Sequence, residues 1–213
     1  MVKLQVTGPV TLARALEPDA RAARPLAAEL AEWLAADAAG RIAVLAALGL
    51  TALLVVDEPG LDGRDAPPGV WDPLRAVAPA WGLHVCCAVP WDLVGRAEPD
   101  VLSFDLALAP VGDRAAAVLE RHLARGARVA WGVLAAHRPE RAVDAAWRLA
   151  TAVARLGGDA EAIGAQSLLT ASCGTGRLTP RREAEVTAAL AEVAASARRM
   201  TAPPAATALR RST

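Results

Sequence analysis

The chain predicts an α/β protein built on a parallel sheet, and three observations carry that prediction. Six short apolar runs recur along it, each run is continuous rather than alternating, and longer segments rich in Ala, Leu, Arg and Glu separate them. Continuous apolar runs mark parallel strands covered on both faces. A strand–helix rhythm of this kind closes by right-handed crossovers into a doubly wound sheet or a barrel. At 213 residues the chain is long enough for one domain with a sizeable core.

In chain order the strand candidates are "VKLQVTG" (2–8), "ALLVVDEP" (52–59), "LHVCCAV" (83–89), "VLSFDLAL" (101–108), "RVAWGVLAA" (128–136) and "SLLTASCG" (167–174). Helices are predicted over Asp19 to Leu48 with a break near Pro25, then Asp92 to Ala97, Gly112 to Arg125, Pro139 to Leu156 and Pro180 to Arg199. Pro139 and Pro180 suit first-turn positions, where no backbone N–H is needed. The longest apolar stretch, Ile42 to Val56, is interrupted by Gly49. It is too short to span a bilayer comfortably and reads as a helix end, a turn and a buried strand. Residues 200–213 have little to bury and are predicted to be disordered, which leaves 1–199 as the folded domain.

Charge and composition exclude several functions. Lys+Arg 23 balances Asp+Glu 23 with no stretch of one sign, so nucleic acid is not an expected partner. Lys3 is the only lysine, which argues against Schiff-base chemistry. Neither a G-x-G-x-x-G after a strand nor a P-loop is present. Three cysteines with no secretory leader read before them predict a soluble protein of a reducing, cytoplasmic compartment, without a membrane.

The polar residues at strand ends are the informative ones: Asp57 and Glu58, His84 and Cys86, Asp105, His137 and Cys173. Five consecutive strand candidates each deliver a chemically capable side chain near the C-terminal end, a regularity that favours the mouth of a barrel. In a strand, residues two apart share a face, so His84 pairs with Cys86 while Cys87 points away as a small buried hydrophobe. Cys173 ends the last strand candidate. One imidazole, two thiolates and the Asp105 carboxylate make a tetrahedral zinc set. Asp105 has an equally good role as a helix-capping or loop acid. Glu58 is expected to anchor a loop, and His122 to be an exposed helix histidine.

The motifs "VTGPVT" (6–11), "VVDEPGL" (55–61), "LHVCC" (83–87), "DVLSFD" (100–105), "GVLAAHRP" (132–139) and "SCGTGR" (172–177) occur in that order. Together they resemble the catalytic domain of cobalamin-independent methionine synthase, from the first residues to about Arg199. The resemblance implies a (β/α)8 TIM-barrel type fold, here about six parallel strands with helices and lacking the first two strands. It implies an S-methyltransferase of methionine biosynthesis that moves a methyl group to the thiol of homocysteine through zinc. The family's ligands fall on His84, Cys86 and Cys173, and the fourth, usually glutamate, on Asp105. The aspartate that holds the amino group of homocysteine falls on Asp57, and the proton-transfer histidine on His137.

Departures from the pattern bear on the donor. The acid two residues before the histidine is Ala135 here, the folate-stacking tryptophan falls on Ala15, and a glutamate of the folate site falls on Gly63. The methyl donor is therefore methyltetrahydrofolate or, as in short relatives that the chain resembles, a methylated corrinoid protein. Two further readings stand beside this one. One is a non-catalytic half-barrel completed by a partner chain or by self-association. The other is a methylcorrinoid:thiol methyltransferase with a different acceptor.

Overall fold

The computed structural model describes residues 1–61, 66–138 and 140–201. Pro139, Gly63 and the segment 202–213 lie outside the described residues. Six strands form one all-parallel sheet: β1 (Val2–Thr7), β2 (Ala52–Asp57), β3 (Trp81–Val85), β4 (Val101–Asp105), β5 (Arg128–Leu134) and β6 (Ser167–Ala171). Their spatial order is β1-β2-β3-β4-β5-β6, so each strand lies beside its neighbour in sequence. The order reversal of a doubly wound sheet is absent among the described strands. β1 and β6 each keep one unpaired edge there.

All six strands fall on the apolar runs of the sequence, but β3 starts two residues earlier than expected and ends at Val85, so Cys86 and Cys87 lie past the strand and not on its two faces. Eight helices are described: α1 (Pro9–Leu16), α2 (Ala20–Ala47), α3 (Asp72–Val77), α4 (Trp91–Ala97), α5 (Asp113–Ala124), α6 (Ala142–Ala154), α7 (Ala160–Ala165) and α8 (Pro180–Thr201). Three of them, α1, α3 and α7, were not expected. The expected break near Pro25 does not occur; α2 runs through it. Asp19 caps that helix by accepting from the backbone N–H groups of Arg21 and Ala22, both at 2.9 Å. α8 reaches Thr201, two residues beyond the predicted end. Among the described residues, no helix is long and apolar enough to cross a membrane.

The sheet is two-sided in chemistry. Alternate residues of a strand point to opposite faces. One face carries Val6, Leu54, Val56, Leu83, Val85, Leu102, Phe104, Val129 and Trp131, all in one buried cluster with residues from every helix. Phe104 holds the middle of it, with Trp91 edge-on at 5.2 Å and Trp131 at 5.5 Å. Such edge contacts add ~0.5–1.5 kcal/mol each beyond burial. Side chains on the alternate positions (Lys3, Gln5, Thr7, Leu53, Val55, Asp57, His84, Ser103, Ala130, Thr170) are outside that cluster. Helices therefore cover one face only, contrary to the two-sided burial that the apolar runs predict.

The second correction concerns His122. It is buried on α5, not exposed. Its Nε2 donates to the Arg128 carbonyl at 2.9 Å, and its Nδ1 accepts from Arg125 at 3.3 Å. The ring is therefore the neutral Nε2–H tautomer, and burial lowers its pKa below the ordinary histidine value.

Candidate functional site

Parallel register lines up the polar residues of the uncovered face at one end of the sheet. Thr7 pairs with Asp57, Asp57 with His84, and His84 with Ser103. Cys86 follows one residue after β3 ends, and Cys173 two residues after β6 ends. Both thiols thus sit past the C-terminal ends of their strands, where crossover loops begin.

Two local devices build this rim. The first is Glu58, fully buried directly after β2. It accepts from the N–H groups of Val10 (3.2 Å) and Thr11 (2.8 Å) in the first turn of α1, and from the Trp71 indole N–H at 3.0 Å. A carboxylate at a helix N-terminus satisfies donors that the helix itself leaves open. Burial pushes its pKa above the usual glutamate value, against the pull of those hydrogen bonds. A side chain at Gly8 would overlap it, with an added Cβ 2.1 Å from the Glu58 carboxyl carbon. Glu58 thus takes the loop-anchoring role expected of it, tying β1, α1 and the loop after β2 into one unit.

The second device is an irregularity in the pairing of β5 with β6 between Gly132 and Leu134. Beside it the chain after β6 closes onto β5. Ser172 donates its backbone N–H and its hydroxyl to the Leu134 carbonyl, at 2.8 and 2.9 Å. A Cβ on Gly132 would lie 2.6 Å from the Phe104 carbonyl oxygen and 2.8 Å from the Ser172 Cα. Only glycine permits that approach, and Cys173 is the next residue. Bulges commonly re-aim side chains in this way beside functional sites.

The result is a group of mutually sensitive residues. Burial raises the Cys86 thiol to about 11, with further contributions from the charge and hydrogen bonding of Cys173, then from Cys87 and Asp57. Cys86, just past β3, and Cys173, just past β6 and 87 residues further along the chain, are thus near enough for one thiol to act on the other. Burial lowers the pKa of His84; the charges of Asp57 and Asp105 oppose that shift and Lys3 adds to it. The Nδ1 of His84 is hydrogen-bonded to Ser103 Oγ at 2.9 Å. The side-chain amide of Gln5 donates to Asp57 Oδ2. The other oxygen, Oδ1, is buried and has no hydrogen-bond partner among the described residues. Leaving such an acceptor unpaired costs about 1–3 kcal/mol.

Of the residues singled out in the sequence, Asp57 acts on both His84 and Cys86, and Cys173 acts on Cys86. Asp105 borders them and acts on the backbone: its Oδ1 accepts from the N–H groups of Ala107 (2.8 Å) and Leu108 (3.2 Å). That is the loop-acid role weighed against ligation. His137 is exposed in the turn after β5, outside these contacts. Cys87 is half-buried and donates its thiol to the Leu61 carbonyl at 3.5 Å, as a small core residue does.

Gln5 and Ser103 were not singled out in the sequence. Their signal was a polar residue in a strand, at the same parity as His84 and Asp57 once register is known.

Among the described residues, no group of three or more His, Cys, Asp or Glu side chains stands ready to hold a metal ion. The donor chemistry nevertheless fits a thiophilic divalent cation. Two thiols and an imidazole lie at one rim beside an unpaired carboxylate oxygen, and the Cys86 thiol is raised first by burial and then by the neighbouring Cys173, Cys87 and Asp57. Fold and site together define an α/β parallel-sheet protein with a thiol-bearing rim. No family model matches the chain, and no curated protein sequence matches it.

Proposed function

We propose that this chain is a zinc-dependent S-methyltransferase built on the (β/α) barrel plan of the methionine synthase type, with homocysteine as acceptor. The observation that carries the proposal is the influence of Cys173 on Cys86, from the ends of β6 and β3, with the Asp57 carboxylate acting on both Cys86 and His84. Sequential strand order and one-sided helices support the barrel plan, since a barrel has helices only on its outer face.

His84, Cys86 and Cys173 would hold the ion, with Asp105 beside them. When bound, zinc lowers the pKa of a thiol and keeps it as the nucleophilic thiolate. The chain's own residues do the rest. Asp57 presents Oδ1 to the ammonium group of the amino thiol, a charge-assisted hydrogen bond in a partly dry setting. Ser103 holds the His84 ring by Nδ1, leaving Nε2 to face outward. The thiolate sulfur attacks the methyl carbon. A sulfur–carbon bond forms, and the bond from methyl to its donor atom breaks with the electron pair leaving on the donor. His137, exposed on the rim, can give a proton to a nitrogen leaving group when the donor is methyltetrahydrofolate. A methylated corrinoid donor needs no such proton.

The test is metal analysis of anaerobically purified protein, coupled to methyl transfer to homocysteine from each donor. The expected result is about one zinc ion per chain, lost in Cys86→Ser and in Cys173→Ser together with transfer. Zinc-free protein, or zinc unaffected by both substitutions, ends the proposal.

A second reading is favoured by the free edges of β1 and β6 and by the exposed apolar end of α2, where Val44 and Leu48 are 62% and 69% exposed. In it, a second polypeptide supplies parallel strands to those edges and completes the barrel. Light scattering during size-exclusion chromatography decides: a compact monomer that transfers methyl groups removes this reading.

A further inference from the structure

We infer that Gln5 is a positioning residue for the amino group of the acceptor, acting through Asp57. The inference rests on the amino-thiol reading above and deepens it.

Gln5 lies on the uncovered face of β1, between Lys3 and Thr7 at the same parity. Its Cα partner on β2 is Val55, two residues before Asp57, so its side chain must reach along the sheet to touch that carboxylate. It does so, donating from Nε2 to Oδ2. A carboxylate only accepts, so the NH2 end of the amide must face Asp57 and the carbonyl Oε1 must turn away. Two consequences follow. Gln5 occupies one carboxylate oxygen and fixes the plane of the group, so that the buried, unpartnered Oδ1 keeps a single direction. Its own Oε1 becomes a second acceptor nearby.

Two acceptors held at one rim suit a primary ammonium, which carries several N–H donors and accepts from none. A neutral or anionic substituent in that place finds no donor to meet it. Gln5 therefore tunes the choice between an amino thiol and a thiol without the amine. Its effect is on substrate affinity, because it touches no reacting atom.

The experiment is calorimetric binding to the zinc-loaded full chain with two probes: homocysteine and its desamino analogue, the same mercapto acid with hydrogen in place of ammonium. Gln5→Met keeps length and removes the donor. Gln5→Glu keeps shape and places a second negative charge against Asp57. The wild type is expected to prefer homocysteine, and Gln5→Met to lose about tenfold of homocysteine affinity with the desamino analogue unchanged. Gln5→Glu should likewise lose orientation of Asp57. Unaltered preference in both variants overturns the inference, as does an equal loss for both thiols, which marks a merely structural role. A wild type with no preference between the probes instead removes the amino-thiol reading itself. Gln5 is exposed on an edge strand, so neither substitution threatens the fold.

Discussion

The two faces of the sheet divide the work of the molecule. On the helix-covered face, Leu54, Leu83, Leu102, Phe104, Val129 and Trp131 are fully buried in one apolar cluster, with the Trp131 indole N–H donating to Ser167 Oγ at 2.9 Å. On the opposite face, Asp57, His84, Ser103 and Thr170 stand in strands of the same sheet with partial exposure and hydrogen-bonded neighbours. The first face supplies most of the stability. The second tolerates a raised thiol and an unpaired carboxylate oxygen because the first is strong enough to carry them. A functional rim of this kind is affordable only where another part of the fold does not share its constraints.

That division is open to direct attack, starting with the largest effect. Trp131→Ala empties the middle of the covered face and should lose ~3–5 kcal/mol in urea unfolding. Ser103→Ala, on the facing side of the next strand, should stay within about 1 kcal/mol of wild type. Comparable losses for the two would erase the distinction.

Gly132→Ala tests the seam between the faces. Its Cβ would meet the Phe104 carbonyl and the Ser172 backbone, so the strand ends must move apart. A stability loss of ~1–3 kcal/mol is expected. Zinc binding should fall with it, since Cys173 follows the displaced residue. Binding unchanged alongside lost stability would show that the seam does not place Cys173.

Ser103→Ala sharpens the comparison from the other side. With the fold intact, chelator competition should show zinc affinity weakened roughly 10–100-fold, and Ser103→Thr should restore most of it. An unchanged affinity would leave the His84–Ser103 hydrogen bond without a role at the rim.

The smallest effects are in pH dependence, and two buried ionisable groups, His122 and Glu58, have opposite signs. The folded pKa of His122 is lowered, so the unfolded chain binds more protons just below the ordinary histidine value of 6.5. Stability should therefore fall as pH drops through that region, and His122→Gln should flatten the slope. The folded pKa of Glu58 is raised above 4.5, so its contribution is present at low pH and declines as pH rises through the folded value. Glu58→Gln should remove that decline. Denaturant midpoints across the acid range measure both.

The contrast between the faces also explains what the sequence could show. All six strands were legible because the covered-face residues are apolar, Ser167 excepted, and the runs are bounded by turns. The runs could not show that one face is uncovered. Val55 and Ala130 are apolar and buried on the polar side too, which masks the alternation. Asp57, His84, Cys86 and Cys173 were legible as reactive residue types at strand ends. Gln5 and Ser103 were not, because their importance depends on cross-strand register, a long-range property. His122 was misread for a related reason. A helix histidine among charged neighbours looks solvent-exposed until the Arg128 carbonyl is seen to receive it.

The central claim is that the ends of β3 and β6 place two sulfurs and an imidazole on one ion. X-ray absorption at the zinc edge of the metal-loaded protein measures this most directly. The account predicts a sulfur shell at ~2.3 Å, reduced in Cys86→Ser and in Cys173→Ser alike. A first shell of nitrogen and oxygen alone, or a sulfur shell indifferent to either substitution, would contradict it.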